Sequence, residues 1–163
     1  MTKNNNWTDR KKTASYLSKN NNKDEIFKIL PDMIKSMSED EDETVRAEMA
    51  SSIAKFKEHA LSATTALIAS MNTDKSSTVR EWAVIAVGEI GPKAKKAIPH
   101  LIKIMQFDEN ITVRKNAIFA LGKMGGEATC AIPALEDIKN KNEHWWVVPI
   151  INTTISKIQS PSK

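Results

Sequence analysis

Arg46, Arg80 and Arg114 stand 34 residues apart (80 − 46 and 114 − 80), and each has an aspartate six residues before it: Asp40, Asp74 and Asp108. Two chemistries fit such a row. Arginines in series can grip phosphate or carboxylate ligands, and arginines that each come with an acid can form ion pairs. An arginine in the first turn of a helix also meets the positive end of the helix dipole, at a cost of ~0.3 to 1 kcal/mol unless something offsets it. Every arginine here brings its own carboxylate. The expectation is therefore a structural ladder of ion pairs, not an anion site.

The other chemically capable residues form no set. Cys130 is the one cysteine, so no internal disulfide is available, and no neighbour at helical spacing supplies a base to activate its thiol; a half-buried, inert thiol is expected. His59, His100 and His144 lack metal-ligand spacing. Gly122-x-x-Gly125-Gly126 has glycine enough for a phosphate cradle, but no Lys-Ser/Thr follows, and the spacing repeats Gly88 and Gly91. Helix ends and close helix packing account for it better. Trp145-Trp146 is expected to cover the end of a core, and Trp82 to lie on the outward side of its helix. The acids Glu39 to Glu43 read as a solvated turn. No Ser/His/Asp, Cys/His or paired-carboxylate arrangement emerges, so no catalytic site, metal or cofactor is expected.

The elements that carry these residues follow from the same period. Val45, Val79 and Val113 precede the arginines, Thr44, Thr78 and Thr112 precede the valines, Gly88 and Gly91 recur as Gly122 and Gly125, and Pro99 recurs as Pro133. Val79, Ala83, Ala86, Val87 and Ile90 make an apolar stripe of helical period. Thr78 with Glu81 fits a capping box, and Gly91-Pro92 a stop. Ile98, Leu101, Ile102 and Met105 make a second, shorter stripe, with Pro99 expected in its first turn. One period is thus two helices. Beyond the last full period, Val147, Ile151, Ile155 and Ile158 predict one more helix, expected to close the stack.

The string Asp74…Val79-Arg80-x-x-Ala83-x-x-Ala86-Val87-Gly88-x-Ile90-Gly91, followed by Ala97-Ile98-Pro99-x-Leu101, resembles short HEAT repeats, including those of phycobilisome lyases. Asp108 to Leu135 repeats it nearly unaltered. The resemblance implies an all-α, right-handed α-solenoid of stacked HEAT-like helix pairs, about four and a half repeats long. It also implies that Asp40, Asp74 and Asp108 pair with Arg46, Arg80 and Arg114 within or between neighbouring repeats. The frame divides the chain into a disordered tail at 1–7 and a repeat domain at 8–159, with a disordered tail at 160–163. Repeats fall at 8–39, 40–73, 74–107 and 108–141, with a capping helix at 144–159.

Such a fold offers an extended surface, and the second helices are expected to line its concave side. Their outward positions read Lys28, Asp32 and Lys35, then Ser62, Ala66 and Ala69, then Lys96, His100 and Lys103, then Cys130, Ala134 and Asp137. A basic middle lies beside a neutral stretch. With 40% hydrophobic and 27% charged residues, net charge +4, and no apolar run long enough to span a bilayer, the chain reads as a soluble, cytoplasmic, non-enzymatic protein-interaction scaffold. Its expected partner is a protein with an acidic surface or segment, not a membrane. Two rivals come with the resemblance: lyase-like attachment of a bilin chromophore, and nonspecific nucleic-acid binding, which is less favoured.

Overall fold

A computed structural model describes residues 23–141 and 147–160, together with Lys12 and Tyr16. Every regular element in that range is helical. α1 spans Lys23–Glu39, α2 Glu43–Ala54, α3 Thr64–Thr73, α4 Ser77–Ile90, α5 Ile98–Phe107, α6 Ile111–Met124, α7 Ile132–Lys141 and α8 Val147–Gln159. Three short 3-10 segments, Lys57–Ala63, Gly91–Ala97 and Gly125–Ala131, lead from α2 to α3, from α4 to α5 and from α6 to α7. The architecture is an all-α solenoid: α2 with α3, α4 with α5 and α6 with α7 are successive pairs, α1 precedes them and α8 follows. Residues 1–11, 13–15 and 17–22, including most of the first half of the repeat expected at 8–39, lie outside the described range. So do Trp145, Trp146 and nearly all of the terminal tails.

Each pair opens with a turn built by an aspartate. The Asp40, Asp74 and Asp108 carboxylates accept hydrogen bonds from the N–H groups of Asp42, Ser76 and Asn110, at 3.0, 2.9 and 2.9 Å. Those three residues, also 34 apart (76 − 42 and 110 − 76), are the helix N-caps. Asp42 accepts from Thr44 N–H at 2.8 Å, and Asn110 from Thr112 N–H at 2.8 Å and Val113 N–H at 3.3 Å. The expected cap at Thr78 is therefore two residues late. The aspartate turn brings the chain into helical register earlier, and Thr78 lies inside α4. At the other end, Gly91 and Gly125 adopt φ of 75° and 55°, a left-handed conformation that stops α4 and α6 at low steric cost.

Prolines 99 and 133 are the second residues of α5 and α7, where a missing N–H costs nothing. Pro31 differs. It stands inside α1, because α1 begins two turns earlier than its counterparts, at Lys23; its ring is on the exposed side.

The core runs the length of the stack. All five residues of the α4 stripe (Val79, Ala83, Ala86, Val87, Ile90) are buried, and so are Val147, Ile151, Ile155 and Ile158 of α8. On α5, Ile104 takes the buried position expected of Ile102, which is only partly covered. Trp82 is not outward but half-buried against the core.

Two layers result, and they are unequal. The helices α2, α4, α6 and α8 lie side by side in broad contact, whereas α1, α3, α5 and α7 touch one another at few points. Small residues permit the close layer. A Cβ placed on Gly88 would lie 3.1 Å from both the Cα and the Cβ of Ala120, so α4 and α6 meet backbone to backbone. In a curved stack the closely spaced layer takes the shorter arc. The concave side is thus formed by α2, α4, α6 and α8, and α5 with Lys96, His100 and Lys103 belongs to the opposite side from the one expected.

Candidate functional site

The arginines were the first candidates, and the geometry of two of them is nearly identical. Arg46 donates through Nε and Nη2 to the Asp74 carboxylate at 2.8 and 2.9 Å, and through Nη1 to the carbonyls of Asp40 and Glu41 at 2.9 and 3.1 Å. Arg80 repeats this with Asp108 at 2.9 and 3.0 Å and with the carbonyls of Asp74 and Lys75 at 2.9 and 3.2 Å; Nη2 also reaches Glu109 at 3.0 Å. Each aspartate partner is 28 residues downstream, in the next repeat. Within its own repeat the arginine meets two peptide carbonyls, and the aspartate six residues before it offers only its carbonyl, not its carboxylate. The ladder is therefore a set of rungs between repeats.

Both rungs are secluded. The Arg80 and Asp108 side chains are 8% and 7% exposed. Hydrogen bonding to Asp108 holds the Arg80 guanidinium above its ordinary pKa despite desolvation, and Asp74 does the same for Arg46. Burial works to raise the pKa of Asp74. The Arg46 hydrogen bonds, the Ser76 N–H and the charges of Arg46 and Arg80 outweigh it and hold the carboxylate below 3.8. Arginines near the helix starts are thus compensated by carboxylate and carbonyl partners, which engage all five N–H groups of Arg80 and four of the five of Arg46. Arg114 keeps the two carbonyl contacts, to Asp108 at 2.6 Å and Glu109 at 3.2 Å, but no carboxylate among the described residues. Asp40, at the other end, accepts only from the Asp42 N–H among the described residues.

The basic face lies on the open layer. Lys96, in the segment leading into α5, and Lys103, on α5, are exposed, and among the described residues neither is in an ion pair. Lys93 is exposed and equally unpaired, a third cation that the helical reading passed over because it precedes α5 by a turn. Lys95 differs, lying 3.4 Å from Glu127. His100 is half-buried, its Nδ1 3.0 Å from the Asn72 amide nitrogen of α3. On one flank α3 presents Ala66, Ala69 and other uncharged residues; on the other, the acids of α7 are engaged, Glu136 by Lys139 at 2.9 Å and Asp137 by Lys141 at 2.6 Å. Lys28, Asp32 and Lys35 are exposed on α1, but α3 separates them from α5, so the structure does not bring the two basic groups together.

Below this face, where α3 and α5 end, a cavity of about 320 Å³ is lined by Asn72, Lys103, Phe107 and the Arg80–Asp108 rung, among others. Phe107 is 74% exposed. Its position just before the aspartate turn gave no warning, because Thr73 holds the same place one period earlier. Cys130 is exposed, not half-buried: the 3-10 segment turns it to solvent while Ala128 and Ala131 go inward. Among the described residues no group of His, Cys, Asp and Glu could hold a metal, and no helix is long and apolar enough to cross a membrane.

A family model of HEAT repeats matches residues 1–88 and 64–150, most of the chain. No curated protein matches it.

Proposed function

The chain belongs to the HEAT-repeat family, and we propose that it is a non-enzymatic binding module that recognises an acidic segment of another protein through the face of α5. HEAT repeats generally serve as protein-interaction scaffolds, which supports the class of function. The observation that carries the rest is the concentration of unpaired positive charge at Lys93, Lys96 and Lys103. Elsewhere on the open layer the charges are mixed, as on α1, absent, as on α3, or paired, as on α7. Lysines are compact, hydrated charges that steer an approaching anion and confer modest affinity, so binding should be fast and salt-sensitive.

A fluorescein-labelled peptide of alternating Glu and Leu serves as probe. Lys96→Glu with Lys103→Glu should slow association by about tenfold or more at low salt while leaving the melting temperature unchanged, because both side chains are exposed. The matched reversal on the concave side, Lys115→Glu with Lys123→Glu, should have a smaller effect. If the concave pair abolishes binding and the α5 pair does not, the proposal fails. Should duplex DNA bind more tightly than the peptide, with a steep fall of log affinity against log salt, the module binds nucleic acid instead.

A further inference from the structure

We propose that the cavity between the ends of α3 and α5 is a specificity pocket, which takes an aromatic side chain of the partner segment next to an acid held by Lys103. The inference rests on the acidic-segment reading of the α5 face and adds the residue that such a segment must also carry. The cavity is lined by α3, α5, the turns that follow them and Arg80 of α4. Charge and apolarity are set out in order along α5. His100, Lys103 and Phe107 lie at i, i+3 and i+7, one face of the helix, and Lys96 stands four residues before His100 in the segment leading in. Lys103 and Phe107 both line the cavity. A segment laid along this face therefore meets cations first and then an aromatic ring.

The lining narrows the occupant. Phe107 is the most exposed large apolar side chain among the described residues, and buried Met71 and Ile104 add to the apolar part of the wall. At about 320 Å³ the cavity stands at the low end of ligand pockets, about 300–1,000 Å³, which suits one side chain better than a whole small molecule. The polar groups fit a peptide. The Asn72 amide nitrogen is taken by the Ile68 carbonyl at 2.6 Å and by His100 at 3.0 Å, which leaves its oxygen to accept a backbone N–H. Glu109, also in the lining and exposed, disfavours a further acid beyond the aromatic residue. Spacing fixes the pattern. Lys103 and Phe107 are about 6 Å apart along the helix axis, four residues at about 1.5 Å each, and an extended chain covers that in two residues at about 3.3 Å each. The segment recognised is therefore acid–x–aromatic, with no acid after it.

The probes are two fluorescein-labelled peptides, Glu-Ser-Glu-Ser-Glu-Ser-Phe-Gly-Lys and the same peptide with alanine for phenylalanine, titrated against the whole chain by fluorescence anisotropy. The phenylalanine peptide should bind more tightly by about fivefold or more. Phe107→Ala, at an exposed position and so without effect on the melting temperature, should bring that ratio close to one. Lys96→Glu should weaken both peptides alike and preserve the ratio. Methyl resonances of Met71 and Ile104 should move with the phenylalanine peptide and stay in place with the alanine one. The two readings fail separately. Equal affinities for the two peptides, or a ratio that survives Phe107→Ala, with Lys96→Glu still weakening both, would overturn the pocket and leave the lysine face standing. A ratio that collapses in Phe107→Ala while Lys96→Glu changes neither peptide would support the pocket and end the acidic-segment reading. Absence of binding by either peptide at millimolar concentration would overturn both.

Discussion

Replacing Arg80 by alanine removes five hydrogen bonds at once: two to the Asp108 carboxylate, one to Glu109 and two to the carbonyls of Asp74 and Lys75. Their weights differ. Glu109 is 82% exposed, and an ion pair in that setting contributes under about 1 kcal/mol. Arg80 and Asp108 are almost shut off from water, and removing one member of such a pair costs about 3–5 kcal/mol, largely because the other charge is left without a partner. Asp108→Ala should cost about as much. Once either is gone the second loss hurts less, so the double variant should fall short of the sum by roughly 2–3 kcal/mol. Asp74→Ala with Arg80→Ala is the telling comparison. Arg80 touches Asp74 only at its peptide carbonyl, which alanine retains, and otherwise reaches its carboxylate only through its charge, so this pair should couple by less than about 1 kcal/mol. Urea unfolding of the single and double variants, followed by circular dichroism and tryptophan fluorescence, measures both couplings; coincident transitions show whether the stack unfolds as one unit. If Arg80→Ala is too unstable to titrate, Arg46 with Asp74, at 16% and 9% exposure, provides a milder form of the cycle. A coupling of Arg80 to Asp74 as large as that to Asp108 would refute rungs between repeats.

Gly88 and Gly122 occupy the same column, yet alanine should have opposite effects at the two. Both are in helix interiors, where alanine gains about 0.5–1 kcal/mol over glycine. At Gly88 the new methyl meets the Ala120 backbone at 3.1 Å and must push α6 away, so Gly88→Ala should lower the melting temperature; at Gly122 it meets only the Thr154 and Lys157 side chains at 3.5 Å or more, so Gly122→Ala should raise it. Acid titration tests the Asp74 rung. Its folded pKa lies below the ordinary 3.8, so its contribution to stability is whole at neutral pH and is lost as pH falls below that value. Asp74→Asn should flatten that acid limb of the stability curve, seen as urea midpoints measured against pH.

The two-helix period was legible because it is written in residues that cannot be exchanged: a valine that must be buried, an arginine that must reach two carbonyls, glycines that end helices. The caps were not, because Asp42, Ser76 and Asn110 hold the same position with three different residue types, only Asp42 and Asn110 capping through their side chains, while the threonines two positions later are identical and caught the eye. Nor could the ladder's partners be read. In a chain with a 34-residue period, an aspartate six before one arginine is also 28 after the previous one, and only the stacking decides between them. The side of curvature depends on how nearly two backbones approach, which Gly88 and Ala120 settle from different repeats. Lys96 and Lys103 were visible as a pattern.

The unequal layers also set the mechanics of the molecule. When a beam made of two unlike strips is flexed, the stiff strip holds its length and the soft one does the stretching. Here α2, α4, α6 and α8 are the stiff strip, locked by backbone contact at Gly88, while α1, α3, α5 and α7 are tied to one another at few points. Bending or straightening the solenoid therefore changes the gaps between α3, α5 and α7 far more than anything on the concave side. Asn72 and His100 bridge one of those gaps, and the cavity beneath them widens or narrows with it. A ligand wedged between α3 and α5 would act on the curvature of the whole stack.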